Sequence, residues 1–209
     1  MSTKLTRVDG LLLADHCYLD AEDECYFVGE YTARAGYAFS PTNDLIQNLK
    51  KPMDRLGLPE WKYKERAIAQ AGDTLRGAIP QEWLESATVV PVPPSKAKND
   101  PLYDDRLLRV LHRLGSNIAI DIRELVVQTK STAAAHESSD RPTPTDLLDI
   151  YSIDTAKAKT EQKKLVVFDD LLTTGCHFRA IKQILRAEFP NKPVIGLFIA
   201  RRVPDSAAI

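Results

Sequence analysis

One short segment constrains the fold of this chain more than any other part of its sequence. The apolar run Leu165–Phe168 lacks polar alternation, which is typical of a strand covered on both faces. Apolar residues then recur at helical spacing from Phe178 to Leu185, and another apolar run, Val194–Ala200, follows. A strand, a helix and a strand in this order form the crossover of a parallel sheet. The segment therefore predicts an α/β protein with a parallel sheet flanked by helices.

The polar stretch between that strand and the helix contains the residues most suited to chemistry. Asp169 and Asp170 are adjacent and repel each other, so a ligand with hydroxyl groups or a bound cation is needed to offset the repulsion. Thr173, Thr174 and Gly175 then begin the helix, where two hydroxyls and free backbone N–H groups form a cradle for an anion. All five residues are expected in a turn at the carboxyl end of the strand, where parallel sheets bind ligands. Acids followed by an anion cradle match a sugar phosphate.

The segment Leu165–Gly175 resembles the phosphoribosyl-pyrophosphate (PRPP) signature of the type I phosphoribosyltransferases: an apolar strand, two acidic residues, two apolar residues and Thr-Thr-Gly. The resemblance implies the parallel sheet of that family and a reaction that requires Mg²⁺. It also implies that Asp169 and Asp170 engage the ribose hydroxyls and act in catalysis. The substrate-binding residues that it implies here are Asp169, Asp170, Leu172, Thr173, Thr174, Gly175 and Cys176. Mg²⁺ is expected to be held by PRPP and water, with Asp169 or Asp170 as the candidate protein contact.

A second segment, Val89–Lys96, resembles the Val-Pro-Val-Pro stretch of the competence protein F branch of that family, and Tyr103 and Arg106 extend the likeness. Cys25–Lys51 is similar to the region before the core in the same branch. The resemblance implies that the loop after the first core strand faces the pyrophosphate, and the residues nominated there are Pro94, Ser95 and Lys96. Lys96 is the candidate catalytic cation, because positive charge stabilises the negative charge that develops on pyrophosphate as it leaves.

The pattern along the chain favours an N-terminal hood or cap, residues 1–80, and a phosphoribosyltransferase-like core, residues 81–209. Within the hood, prolines on either side bracket a predicted helix over Trp61–Ile79. Within the core, Leu125–Val127 is predicted as a strand. The segment Thr129–Pro144 is polar and lacks apolar periodicity, which predicts a mobile loop that closes over the site and excludes water.

Composition excludes several classes of function. The 28 Lys and Arg residues nearly cancel the 29 Asp and Glu residues, so nonspecific nucleic-acid binding through bulk charge is not expected. The longest apolar runs are strand-sized, far below the ~20 residues of a membrane span, so no membrane association is expected. Three irregularly spaced cysteines, Cys17, Cys25 and Cys176, argue against a disulfide framework. These features predict a cytoplasmic protein. We also expect it to act as a homodimer or with a partner protein.

Each candidate also has an interpretation without function. Solvated or packing roles suit several pairs and single residues: Asp169-Asp170, Thr173–Gly175 as a plain helix cap, Lys96, Lys50-Lys51, Arg201-Arg202 and Cys176-His177. The leading functional hypothesis is Mg²⁺-dependent transfer of the phosphoribosyl group from PRPP to an unidentified base or amine, with release of pyrophosphate. The alternatives are a PRPP- or nucleotide-sensing module without turnover, acting with a partner protein or DNA, and a structural subunit.

Overall fold

The computed structural model describes residues 4–132 and 142–204. Its strands, in chain order, are β1 (Thr6–Arg7), β2 (Cys25–Thr32), β3 (Ala87–Pro91), β4 (Asp121–Ile122), β5 (Val126–Gln128), β6 (Tyr151–Ile153), β7 (Lys164–Leu172) and β8 (Val194–Val203). Its α-helices are α1 (Gly10–Leu13), α2 (Pro41–Leu49), α3 (Trp61–Ala78), α4 (Gln81–Glu85), α5 (Arg106–Leu114), α6 (Pro144–Leu148) and α7 (Cys176–Glu188).

Six strands form one sheet in the order β1-β2-β8-β7-β3-β4. Every pair in it is parallel except the edge pair of β1 and β2. The predicted α/β class is therefore confirmed as a mostly parallel sheet flanked by helices. The strand predicted over Leu125–Val127 is present as β5, but it pairs with β6 in a separate antiparallel sheet.

β7 is longer than the sequence pattern predicts, because it continues through both aspartates. Its pairing with β8 extends as far as Leu172, so the backbone of the polar residues stays in the sheet ladder. Burial alternates over this extension: Asp170 is buried and Asp169 is half-buried. The expectation that the aspartates lie in a turn is wrong, since the turn before α7 consists of residues 173–175 alone.

Packing is continuous across residue 80, where the sequence predicts a boundary between hood and core. β2 lies inside the main sheet, between β1 and β8. Cys25 of β2 belongs to the same buried core as Phe168 of β7 and Phe198 of β8. α2 packs against α3, and α3 packs against α5. The apolar strand that begins at Cys25 supplies the neighbour of β8, so the first 80 residues share one sheet and one core with the rest.

Helix boundaries follow their local signals and bring side chains to the site. α2 begins after Ser40, whose hydroxyl accepts a hydrogen bond from the Asn43 N–H at 3.1 Å, and Pro41 occupies the first helical position. This helix ends at Leu49, which puts Lys50 at its C-terminus. The helix predicted over Trp61–Ile79 is confirmed as α3. None of the helices in the described ranges is both long and apolar enough to cross a bilayer.

The long loop predicted over Thr129–Pro144 is described at its two ends. The Thr132 N–H donates to the Ser95 carbonyl at 2.8 Å, which joins the first end to the loop after β3. At the other end, the Thr143 side chain caps α6. Residues 133–141, on which the predicted closure over the site depends, lie outside the described residues.

Candidate functional site

A cavity of about 790 Å³ opens at the carboxyl ends of β3 and β7. The predicted site residues that line it are Pro94, Ser95, Lys96, Asp169, Asp170 and Thr173. The other predicted site residues, all of them described, are not part of the lining: Leu172, Thr174, Gly175 and Cys176. The fold thus brings together two segments that are far apart in the sequence, at the edge where parallel sheets bind ligands.

The turn between β7 and α7 presents backbone N–H groups. Gly175 has φ = 85°, a left-handed conformation that glycine adopts readily, and it directly precedes α7. The Thr174 carbonyl accepts a hydrogen bond from the Tyr18 N–H at 2.9 Å, and the Thr173 carbonyl contacts His16 Nδ1. Because the peptide bonds are trans, the N–H groups of Thr174 and Gly175 point away from the segment that holds these carbonyls. Within residues 4–132 and 142–204, neither N–H has a hydrogen-bond acceptor, and two such groups before a helix are the arrangement that binds an anion.

Asp170 is buried and is neutralised by two cations. Arg106, the first residue of α5, donates from Nε and Nη2 to Asp170 Oδ2 at 2.9 and 2.8 Å. Lys50 Nζ lies 3.0 Å from Asp170 Oδ1. Burial alone would favour the neutral carboxyl, but the positive charges of Lys50 and Arg106 outweigh it and hold the pKa of Asp170 well below its ordinary value. Asp170 is therefore ionised across the physiological range.

Asp169 experiences the opposite balance. Its Oδ1 accepts a hydrogen bond from the Asp170 N–H at 2.7 Å. Burial and the adjacent Asp170 carboxylate raise the pKa of Asp169 to about 7, although Lys50 and Arg106 oppose the change. The two neighbouring carboxyls therefore differ in charge near neutral pH, where Asp170 is an anion and Asp169 exchanges a proton with solvent.

Lys96 lines the cavity from the loop after β3. Its Nζ donates to the Thr132 carbonyl at 2.9 Å. The carbonyl of the preceding residue, Ser95, accepts a hydrogen bond from the Thr132 N–H at 2.8 Å and one from the Gln128 side-chain amide. These bonds fix the loop against the segment that follows β5. Because the hydrogen-bond partner of Lys96 is a neutral carbonyl, its charge remains available to an anionic ligand.

The lining also includes Lys50, Arg106 and His177, which are not among the predicted site residues. The sequence singles out Arg106 only through the family likeness, and Lys50 and His177 only as candidates with a solvated or packing role. His177 is the second residue of α7, and the Tyr151 hydroxyl lies 2.8 Å from its Nδ1. Burial, reinforced by Lys50 and Arg106, lowers the pKa of His177 to about 4, so the imidazole is neutral. A signal for the cations was available: adjacent aspartates require positive charge, and the segment Leu165–Gly175 contains none.

Other candidate residues have structural roles. Leu172 is buried in the core. The Cys176 thiol donates to the Pro142 carbonyl at 3.1 Å, and burial raises its pKa to about 11. A thiol that stays protonated is a poor nucleophile, in agreement with a packing role for Cys176. Arg201 is nearly buried and forms an ion pair with Asp15 at 3.0 Å.

The donor set suits Mg²⁺ that arrives with a phosphorylated ligand. Among residues 4–132 and 142–204, no group of three or more His, Cys, Asp or Glu side chains could hold a metal ion. Mg²⁺ in phosphate sites needs one or two protein carboxylates, with phosphate oxygens and waters as its other ligands. Asp169 fits this requirement, since both oxygens of Asp170 contact Arg106 or Lys50. A bound cation and the proton of Asp169 would compete for the same oxygens.

No protein-family model matches the chain, and no curated protein matches it either. Function is therefore inferred from the cavity itself. The adjacent carboxyls of Asp169 and Asp170, which differ in acidity, share one space with cationic side chains that include Lys50, Lys96 and Arg106. Thr173, the first residue of the turn before α7, also lines this space. This arrangement can bind a ligand that combines phosphate groups with hydroxyls, and it can stabilise negative charge that develops on such a ligand.

Proposed function

We propose that this chain has a type I phosphoribosyltransferase-like fold, binds PRPP in the cavity and transfers its phosphoribosyl group to a base or amine, with release of pyrophosphate. One observation carries the proposal. The N–H groups of Thr174 and Gly175, for which no described residue is an acceptor, follow the end of the strand that carries Asp169 and Asp170, and the turn that holds them begins at Thr173 in the cavity lining. An anion cradle a few residues from two carboxylates suits the phosphate and the hydroxyls of a single pentose phosphate.

Each group has a role in the proposed reaction. The turn before α7 binds the 5′-phosphate, and Asp169 and Asp170 accept hydrogen bonds from the ribose hydroxyls. The bond between ribose C1 and the pyrophosphate oxygen breaks, and its electron pair leaves with pyrophosphate. A lone pair of the acceptor nitrogen forms the new bond to C1 of the oxocarbenium-like ribose, and the proton that this nitrogen then loses passes to pyrophosphate or solvent. Lys96, Lys50 and Arg106 stabilise that negative charge. Bound Mg²⁺ would neutralise further charge on the pyrophosphate.

A PRPP- or nucleotide-sensing role without turnover is the second candidate, and the ion pairs of Asp170 favour it. Arg106 makes two charge-assisted hydrogen bonds to this carboxylate, and Lys50 makes a third contact. A ribose hydroxyl must compete with these bonds, which are stronger than bonds between neutral groups. Ligand binding would then rearrange contacts of α2 and α5, and such a change can reach a partner protein without any chemistry.

Thermal unfolding tests whether the cavity binds PRPP. Both candidates predict that PRPP with Mg²⁺ raises the melting temperature of the protein, because a ligand of the folded state stabilises it. Ribose 5-phosphate and nucleoside monophosphates report which part of PRPP is bound. An unchanged melting temperature with PRPP at saturating concentration would exclude both roles and leave only a structural one.

Release of pyrophosphate separates the enzyme from the sensor. The enzyme releases pyrophosphate from PRPP and Mg²⁺ with one member of a panel of bases and amines, and Asp170→Asn suppresses the release. Asp73→Asn is the matched control, since Asp73 pairs with Arg113 on the surface and lies outside the cavity lining. Binding of PRPP without release of pyrophosphate for any acceptor would support the sensor.

A further inference from the structure

Lys64 is a fully buried lysine on α3 that does not belong to the described lining of the cavity. Its ammonium group donates to Asp104 Oδ2 at 2.6 Å and to the Lys51 carbonyl at 2.7 Å. Trp61 covers it, with the indole centroid 5.4 Å from Nζ. Burial lowers the pKa of Lys64, although the adjacent Asp104 favours the charged form. A buried lysine is costly, so its two acceptors indicate what it does.

The first acceptor, Asp104, orients Arg106. Asp104 Oδ1 accepts a hydrogen bond from the Arg106 backbone N–H at 3.1 Å, and Oδ2 accepts one from Arg106 Nη1 at 3.1 Å. The remaining guanidinium donors, Nε and Nη2, are thereby directed at Asp170. Because the guanidinium group is planar, the bond from Nη1 to Asp104 also limits how far Nε and Nη2 can turn away from Asp170.

The second acceptor, the Lys51 carbonyl, is next in sequence to Lys50, the other cation that contacts Asp170. The Lys51 carbonyl belongs to the residue that follows Lys50, at the end of α2. Lys64 therefore fixes the backbone from which Lys50 extends to Asp170. A single buried ammonium group thus anchors both cations that contact Asp170, one through a carboxylate and one through the main chain.

A purely stabilising role explains this arrangement less well. Replacement of a buried ion pair by apolar residues is often neutral or stabilising, so stability alone gives no reason to bury Lys64 and Asp104 together. Orientation of the two cations does give a reason to bury this pair, because Arg106 and Lys50 reach Asp170 from the ends of two different helices. We propose that Lys64 is a positioning residue, which sets Arg106 and Lys50 in the geometry that the cavity presents to an anionic ligand. The identity of that ligand as PRPP rests on the proposed function.

Two variants and one control test the proposal in the full chain. Lys64→Met removes the ammonium group and keeps an unbranched side chain. Asp104→Asn keeps the side-chain volume but removes the negative charge and one of the two oxygens that accept hydrogen bonds from Lys64 and Arg106. Lys182→Met is the matched control, because Lys182 is also buried, pairs with Asp23 and lies outside the described lining of the cavity. Asp104→Asn decides the question if Lys64→Met fails to fold.

The first readout needs no ligand. In ¹⁵N NMR of the protein alone, the Arg106 Nε–H signal, assigned with Arg106→Gln, is expected to be protected from exchange because it donates to Asp170. Lys64→Met and Asp104→Asn should abolish that protection, whereas Lys182→Met should preserve it. The second readout is the dissociation constant of PRPP with Mg²⁺ by calorimetry, which Lys64→Met should raise about tenfold, since small displacements of binding groups are costly. Asp104 lines the cavity, so Asp104→Asn is judged by the NMR signal alone.

The outcomes separate the two proposals. Loss of protection in both Lys64→Met and Asp104→Asn supports the positioning role even if no form of the protein binds PRPP, a result that would reject the proposed function alone. Protected Arg106 signals in folded Lys64→Met or Asp104→Asn would overturn the positioning role. So would loss of protection in Lys182→Met to the same extent, because the effect would then be general destabilisation.

Discussion

Asp169 and Asp170 follow one another in β7, yet their surroundings give the two carboxyls different acidities. Asp170 contacts Arg106 and Lys50 and stays ionised, whereas burial beside that anion raises the pKa of Asp169 to about 7. Carboxyl pairs whose pKa values are separated in this way serve different roles in enzymes. Here Asp170 provides a fixed negative charge, whereas Asp169 is suited to gain or lose its proton when a ligand binds.

The pKa of Asp169 predicts a specific dependence of stability on pH. The folded protein keeps the proton of Asp169 up to about pH 7, whereas the unfolded chain has lost it above about pH 4. The contribution of this carboxyl to stability is therefore present at low pH and lost as the pH rises toward 7. Asp169→Asn cannot ionise, so its free energy of unfolding should rise relative to the original chain by roughly 2 kcal/mol between about pH 5 and about pH 8.

Urea unfolding of both proteins at several pH values measures this difference. The comparison cancels the contributions of other groups, including His177, whose lowered pKa acts in the opposite direction. Asp73→Asn is the control, since a hydrogen bond from Arg113 lowers the pKa of Asp73 and its titration lies below this range. A stability difference for Asp169→Asn that stays flat from pH 5 to pH 8 would contradict the assignment.

At the scale of residues, the sequence predicts the acids but not their partners. The motif places Asp169 and Asp170 because it is contiguous, and the structure puts both on the cavity. Arg106 comes from α5 and Lys50 from the C-terminus of α2. The paired aspartates indicate that cations are needed, but nothing in the sequence shows which lysine or arginine supplies them. Lys64 is harder still, because only the packing of α3 shows that it is buried.

At the scale of elements, the turn between β7 and α7 depends on contacts from the N-terminal segment. Gly175 needs its left-handed conformation, and a Cβ there would lie 2.8 Å from Leu19 Cδ2. Gly57 has nearly the same φ, 86°, but a Cβ there would meet nothing within 4 Å. The two glycines therefore separate the cost of the backbone conformation from the cost of crowding the turn.

Gly175→Ala and Gly57→Ala are the corresponding test. Gly57→Ala should lower the free energy of unfolding by about 1 kcal/mol, the cost of an alanine in the left-handed region. Gly175→Ala should lower it by about 2 kcal/mol or more, because Leu19 must also move. Urea unfolding measures both values, and calorimetry with PRPP and Mg²⁺ should show weaker binding for Gly175→Ala alone. Equal losses of stability and unchanged binding would mean that the turn tolerates displacement.

Helices and strands were predicted well where local sequence signals determine them. They were predicted less well where pairing with a distant strand determines their length or position. The helix at Trp61–Ala78 and the strands around the motif follow from periodicity and prolines. The extension of β7 through Asp170 does not, because it depends on the ladder with β8 rather than on the polarity of the residues. The position of β5 outside the main sheet likewise depends on its partner, β6, far along the chain.

At the scale of the whole molecule, the site is assembled from both sides of residue 80. Lys50 comes from α2 and Asp170 from β7, and Lys64 joins the same network from α3. β2 supplies a parallel neighbour to β8 in the sheet. The sequence predicts a hood here because the pattern along the chain changes near residue 80, but such a pattern does not determine which strand lies beside which. One shared core implies that neither part folds without the other.

Separate expression of residues 1–80 and 81–209 tests this consequence. Without β2, one edge of β8 has no strand to hydrogen-bond with, and without α3 one face of α5 has no helix to pack against. Residues 81–209 alone would therefore expose apolar surface that the full chain buries. Neither fragment alone should show a cooperative thermal transition by circular dichroism, because each lacks part of the core. Mixing the two should restore a transition and PRPP binding, since the surface between them has the character of a core cut in two. A cooperative transition of residues 81–209 alone, close to that of the full chain, would show instead that the predicted boundary separates two folding units.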